Sequence, residues 1–424
     1  MEYKFKYTIL SGLQVFFSAI NLLLLTVISS KTELNHFLLA LNLVGIIQQI
    51  INSPFEQFLY YFTKIVTDEQ NILHQQLSKA LKVSLLLSLV ISIAFIFGGS
   101  YLMILLFDVE NLNIEMIQRN MLAMIGVTSF TTSITIIHSY FVSSQLIVQS
   151  YIISLLPIIF QFFGMIFKFL TNTDLIEVAF FISFGYLVAF SFGIICIHRK
   201  LILKNNSDFK TIFTVMINSV KLRFAHNIHI IGTQVLLNKY IVLQNVSDGN
   251  FTLIVKRFSD AVMSTINGPA LKLMPEKIQH MLSSQMKKEN FTFVNLMQNV
   301  LKVIWLQYLL LFFSLLILYF VNLKFHFITC SWYDYITIVS FLFITIFVSL
   351  ELPYSIILNA LNKSQVFVVT NLSYLCVILL ISEVLISFNL IILFPISFLC
   401  GQILVYFSNK KKAGVYLNYE LAKN

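Results

Sequence analysis

The stretch Phe251-Thr252-Leu253-Ile254-Val255-Lys256-Arg257-Phe258-Ser259-Asp260 sets three charged groups into an apolar run that continues through Ser264, Thr265, Asn267 and Gly268. On a helix, Lys256, Asp260, Ser264 and Asn267 fall on one side at spacings of three and four. Arg257 sits beside that stripe and reaches Asp260 at i+3. Across the short turn Val246 to Asn250, Lys239 lies at a similar depth. Clustered cations suit an anionic headgroup, through charge-assisted hydrogen bonds. A carboxylate among them suits proton or sodium coupling. The blander alternative is a structural Lys–Asp pair or snorkelling. Lys256 is about six residues below the turn, roughly 9 Å at 1.5 Å per residue, so its ammonium can reach an interface. The stripe continues inward past that reach, which favours a water-filled cavity.

A second polar stripe comprises Asn42, Gln48, Gln49, Asn52, Ser53, Glu56, Gln57 and Tyr60. Gln49, Asn52, Glu56 and Tyr60 recur at helical spacing, and such a stripe faces a cavity or other helices rather than lipid. Between helices, amides contribute about 0.6 kcal/mol each. His138, His226, His229, Glu351 and Glu383 are single candidates for proton carriage. The commoner role for each is one interhelical contact. The candidate cavity residues are therefore Arg257, Lys256, Lys239, Asp260, Asn267, Gln49, Asn52 and Glu56. The candidates for ion coupling are Asp260, Glu56 and His138.

The elements that carry these residues are dictated by composition. The chain has 424 residues, of which 58% are hydrophobic and 11% charged, and its mean hydropathy is +0.85. A soluble domain carries roughly 25% charged residues, so this chain cannot cover a water-facing surface. Apolar runs of spanning length recur throughout. The bilayer core offers no water to backbone groups, so such runs become helices, and the period-2 alternation of a membrane barrel is absent. The reading is all-α and polytopic, with about twelve spans near the ~20-residue spanning length. They lie at roughly 8–30, 35–62, 83–107, 120–142, 150–170, 176–198, 224–246, 251–274, 296–322, 333–358, 366–388 and 389–408. The first is too long for a signal-peptide core and no cleavage site follows it, so it reads as a retained span. The seventh and eighth are the most polar.

With the N-terminus inside, the inside loops are 63–82, 143–149, 199–223, 275–295, 359–365 and the tail from Asn409. They and the N-terminus hold about 19 cations, against about three outside (Lys31, Arg119, Lys324), which fixes orientation by the positive-inside rule. Both termini are then cytoplasmic. Topology and anionic headgroups account for these charges without a substrate. All outside loops are short, which argues against an enzyme that builds glycans outside. The four cysteines have no metal-like spacing, and nothing supports a disulfide framework. No phosphate-cradling loop, zincin helix or dinucleotide fingerprint appears, so ATP hydrolysis is not expected.

The basic loop 199–223 separates two halves of about six spans, 1–205 and 206–424. Ser144-Gln145 and Ser364-Gln365 recur at the same place in each half, between its fourth and fifth spans. Parallel repeats of this kind place substrate sites at the interface between halves.

This pattern resembles the multidrug/oligosaccharidyl-lipid/polysaccharide (MOP) superfamily, and within it the Wzx-type flippases for O-antigen and capsule precursors. The resemblance is carried by Gly249-Asn250-Phe251, Lys256-Arg257-Phe258 and Pro275-Glu276-Lys277, which look like that family's eighth span. It is carried also by Tyr354 to Phe367, with Leu358-Asn359-Ala360-Leu361-Asn362-Lys363, which is similar to its tenth-to-eleventh turn. The resemblance implies two six-helix bundles around a central cavity. It implies alternating-access transfer of an undecaprenyl-diphosphate-linked oligosaccharide across the bacterial inner membrane, with Arg257, Lys256 and Lys239 meeting the diphosphate. Proton or sodium coupling, a glycan polymerase and chain-length machinery are implied as associates. Unlike the lipid II flippases, the chain has no arginine in its first two spans, only Lys64 near the end of the second, and has two spans fewer. The alternatives are a cation-coupled multidrug exporter of the same fold, whose cavity needs unpaired carboxylates, a membrane glycan polymerase, and a non-transporting scaffold.

Overall fold

A computed structural model of the chain describes residues 13–14, 16–18, 20–21, 24–25, 28–55, 58, 61–62, 70–107, 114–144, 146–198, 209–244, 248–260, 262–263, 302, 305, 308–309, 331–360 and 365–423. Among these residues all regular structure is helical. The helices are α1 (Lys31–Asn52), α2 (Gln70–Phe107), α3 (Ile114–Ala123), α4 (Ile125–Ser143), α5 (Ile147–Thr171), α6 (Leu175–Ile197), α7 (Lys210–Val242), α8 (Trp332–Ala360), α9 (Gln365–Ser387) and α10 (Pro395–Lys423). Helical residues precede α1 between positions 13 and 28, and residues 248–260 are helical.

Eight of the described helices are long and apolar enough to cross a membrane. α7 is not among them, in line with the polarity of the seventh expected span. Large apolar side chains such as Phe97, Phe169, Leu170, Phe388 and Leu380 are exposed on helix surfaces. In a chain this poor in charge, those faces suit lipid tails.

The helices overrun the expected spans. α2 has 38 residues, roughly 57 Å at 1.5 Å per residue, against a hydrocarbon thickness of about 30 Å. The expected inside loops therefore need correction. Residues from 70 in loop 63–82, from 210 in loop 199–223, and the tail to Lys423 are helical. Lys79, Lys82, Lys210, Lys221, Lys410, Lys411 and Lys412 ride on helices. Hydropathy stops at the interface, but backbone hydrogen bonding has no reason to stop there. The expected outside loop near Arg119 is likewise helical from Ile114. There Arg119 donates to Glu115 at 2.6 Å on an exposed face, a pair worth only a few tenths of a kcal/mol.

Local chemistry explains the joints. α3 ends at Ala123 and α4 begins at Ile125, where a single span was expected. Ser183 of α6 donates its Oγ to the Ala123 carbonyl at 2.5 Å, so a side chain enters the helical ladder. Gly126 permits that approach, because a Cβ there would lie 2.9 Å from the Ser183 carbonyl oxygen. α5 ends on Asn172 at φ 54°, a left-handed cap that asparagine tolerates. Asn389, at φ 59°, turns the chain after α9.

By compactness the chain forms two units, Met1–Asn250 and Phe251–Asn424. The division at 205/206 concerns span count and repeats; compactness falls later because α7 packs with the first unit. In that unit Phe55, Phe58, Phe62, Leu77, Tyr140, Phe141 and Ile212 are buried together. In the second unit Val262, Tyr308 and Leu350 are buried together, flanked by Phe258, Ile346 and Tyr406.

Candidate functional site

The charged stripe is local, and the helix 248–260 assembles it. Lys256 Nζ lies 2.5 Å from Asp260 Oδ2, one turn on. The lysine side chain is 12% exposed and the aspartate 50%. Arg257 is half-buried and within electrostatic reach of Asp260. Lys256, Arg257 and Asp260 are thus brought together, and Lys256 takes the paired arrangement. Ser259 and Thr252 are buried on the same segment. Lys239 belongs to the first unit, where its Nζ lies 5.6 Å from the centre of the Tyr240 ring. Asn267, Ser264, Glu56, Gln57 and Tyr60 lie outside the described residues, as do Gln145 and Ser364 of the repeated pair.

The polar stripe of α1 is largely consumed by neighbouring helices. Asn42 donates to Asn238 of α7 at 3.0 Å. Gln48 donates to Thr131 of α4 at 3.4 Å. Asn52 accepts from Thr132 at 2.8 Å. The Ser53 hydroxyl accepts from Asn227, and its carbonyl accepts from Ser219 at 2.6 Å. Gln49 is half-buried, and no side-chain hydrogen bond is formed by it among the described residues. Asn42, Gln48, Asn52 and Ser53 thus tie this stretch to α4 and α7. Asn238→Leu should therefore cost about 1–2 kcal/mol. A fall in the melting temperature of the detergent-purified protein checks this; an unchanged value would show that the amide pair contributes nothing.

The single candidates scatter. His138 and His229 are half-buried on α4 and α7, and Glu383 is exposed on α9. The side chain of His226 lies outside the described residues. Glu351 of α8, also half-buried, is different because two side chains donate to its carboxylate. Asn409 of α10 donates to its Oε1 at 2.7 Å, and Ser355, one turn further along α8, donates to the same oxygen. No cation pairs with Glu351 among the described residues.

Sequence reasoning missed one buried pair. Lys168 of α5 donates to Glu33 of α1 at 2.7 Å, and the same oxygen accepts the backbone N–H of Leu175 at 2.5 Å. Lys168 was visible as a cation inside an apolar run, but its partner is 135 positions away. No group of three His, Cys, Asp or Glu side chains converges as a metal site among the described residues.

No protein-family model matches the chain, and no curated protein matches its sequence. Solved structures do match over nearly its whole length. It is similar to an inward-facing multidrug resistance MATE family transporter of the MOP superfamily, with TM-score 0.66, 11% identity, and coverage of 96% of this chain and 94% of that one. An outward-facing multidrug resistance MATE family transporter of the MOP superfamily matches with TM-score 0.62 and 10% identity, over 99% and 96%. A third match is a MOP superfamily transporter from Pyrococcus furiosus, described as having a binding pocket of reverse polarity that suggests a different function. Its TM-score is 0.58 at 9% identity, over 98% and 94%. The chain has the fold of the MATE transporters.

Proposed function

We propose that this chain is a secondary transporter of the cytoplasmic membrane, with both termini cytoplasmic, that exports amphipathic organic cations against a coupling-ion gradient. The likeness to multidrug resistance transporters over nearly the full length supports the transporter reading. The Lys256–Asp260 contact is the observation that supports this cargo. The basic stripe spoke for an anionic headgroup, and Asp260 now offsets one of its two cations. Glu351 adds a half-buried carboxylate with no cationic partner among the described residues, the feature that organic-cation export asks for.

A second reading keeps one observation on its side. Lys256 and Arg257 stand beside one carboxylate on this segment, and two cations there fit the diphosphate of an undecaprenyl-linked oligosaccharide. That reading brings the glycan polymerase and chain-length machinery as associates.

One host tests both. In cells lacking their own multidrug exporters, expression is expected to raise the inhibitory concentration of lipophilic cations several-fold, and the sidedness of lipid-linked glycan is expected to stay unchanged. Glycan trapped on the cytoplasmic leaflet without this gene, and released by wild type but not by Arg257→Ala, would reverse the order of the two readings.

A further inference from the structure

We propose that the basic end of α10 is a docking site for one anionic phospholipid, its phosphate held by Lys410, Lys411 and Lys412 and its acyl chains laid along α9. The inference needs only that the chain sits in a bilayer, and it is independent of the cargo.

The sequence sets up the charge. The apolar run of α10 ends at Phe407, and lysines occupy positions 410, 411 and 412. No acidic residue lies between Glu383 and Glu420. None of the three lysines pairs with a carboxylate among the described residues. The counter-charge therefore has to come from outside this stretch of chain. At the end of a membrane span, the phosphate of a lipid headgroup supplies it.

The direction of the ammonium groups separates this site from charge that only fixes topology. Helical side chains tilt toward the helix N-terminus, which on α10 is back toward the apolar run. Lys410 donates to the Tyr406 hydroxyl at 3.4 Å, one turn back, and its Nζ stands 5.5 Å from that ring's centre. Lys412 donates to Thr370 of α9 at 3.2 Å. The Thr370 hydroxyl in turn lies 3.2 Å from that of Ser408. Topology asks for no such seats, and a charge that serves it alone extends into water. Here two ammonium groups are drawn back to the level of Tyr406 and Ser408, and Lys411 between them is exposed. Tyr354 packs edge-on against Tyr406, and paired tyrosines suit headgroup depth. The seats are neutral hydroxyls, so they position the lysines without cancelling their charge. A phosphate at this level accepts charge-assisted hydrogen bonds from them.

The apolar half of the site lies on α9. Val369, Leu372, Cys376, Leu379 and Leu380 are exposed. They recur at spacings of three and four, so they form one stripe along the helix. The stripe begins beside Thr370, where Lys412 is seated. From Val369 to Leu380 it runs roughly 16 Å at 1.5 Å per residue, about half of a hydrocarbon thickness of ~30 Å. That is the depth of one leaflet, the reach of an acyl chain whose headgroup stands at the lysines.

The test is native mass spectrometry of the full-length protein from micelles holding equal amounts of phosphatidylglycerol and phosphatidylcholine. Wild type is expected to retain phosphatidylglycerol in preference. Lys410→Gln, Lys411→Gln and Lys412→Gln are each expected to weaken that retention roughly fivefold, and the triple variant to lose the preference. Thr370→Val, which removes no charge, is expected to weaken it by unseating Lys412. Lys82→Gln with Lys221→Gln removes two exposed cations from α2 and α7 and is expected to leave it unchanged. A preference that survives in the triple variant overturns the inference. An equal loss in the Lys82 and Lys221 pair does so too, because diffuse surface charge then accounts for binding. Displacement of the lipid by an equal concentration of glycerol phosphate overturns the lipid as occupant in favour of a soluble phosphate ester.

Discussion

Lys168→Met lowers stability by about 3–5 kcal/mol, the cost of leaving a buried charge without its partner. Glu33 stands in the first turn of α1 and accepts the Leu175 N–H at the start of α6. It therefore faces the positive ends of two helix dipoles, while Lys168 stands in the last turn of α5, at a negative end. Lys168 also donates to the Thr173 carbonyl at 2.7 Å. One pair thus joins the ends of three helices, and α6 has no side-chain cap of its own. Thermal unfolding in detergent reads the effect directly. Glu33→Gln combined with Lys168→Met is expected to recover a good part of the loss, because no unpaired charge then remains. A single variant that melts with wild type would mean that water already reaches the pair.

Gly185→Leu is the second large effect. A Cβ at position 185 meets Pro157 Cα at 2.9 Å and Phe160 Cβ at 2.8 Å. Both obstacles belong to α5 and neither is the free end of a flexible side chain. Nearby, a Cβ at Gly164 meets Phe181 Cβ at 2.8 Å. Glycines on both partners let α5 and α6 approach closely, the way membrane helices gain contact without a hydrophobic driving force. Overpacking typically costs 1–3 kcal/mol, and a leucine here is expected at about 3 kcal/mol or more, because the helices must part. Loss of folded yield and a lower melting temperature check it. Ile195→Ala, on the same helix but 66% exposed, serves as the control that changes little.

These cases separate what was legible from what was not. The all-helical class and most span positions followed from hydropathy, because the cost of placing a segment in hydrocarbon is decided residue by residue within it. The Lys256–Asp260 pair was legible for a similar reason: an i,i+4 spacing on one helix needs no other element. The helical extensions of α2, α7 and α10 were not legible, since hydropathy marks the interface and not the end of backbone hydrogen bonding.

The polar stripe of α1 was visible, but its purpose was not. Asn42, Asn52 and Ser53 could equally line a cavity or join helices, and the choice lies with Asn238, Thr132 and Asn227 on distant parts of the chain. Glu33 carried no reading in the sequence, because Lys168 and Leu175 meet it only in the fold. Glu351 was one candidate among several until Asn409 closed over it. Sequence alone determined that this chain lives in a membrane as helices, because each span answers to the solvent around it. Only the tertiary structure decided which buried polar groups are satisfied, because a hydrogen-bond partner is a fact about neighbours in space.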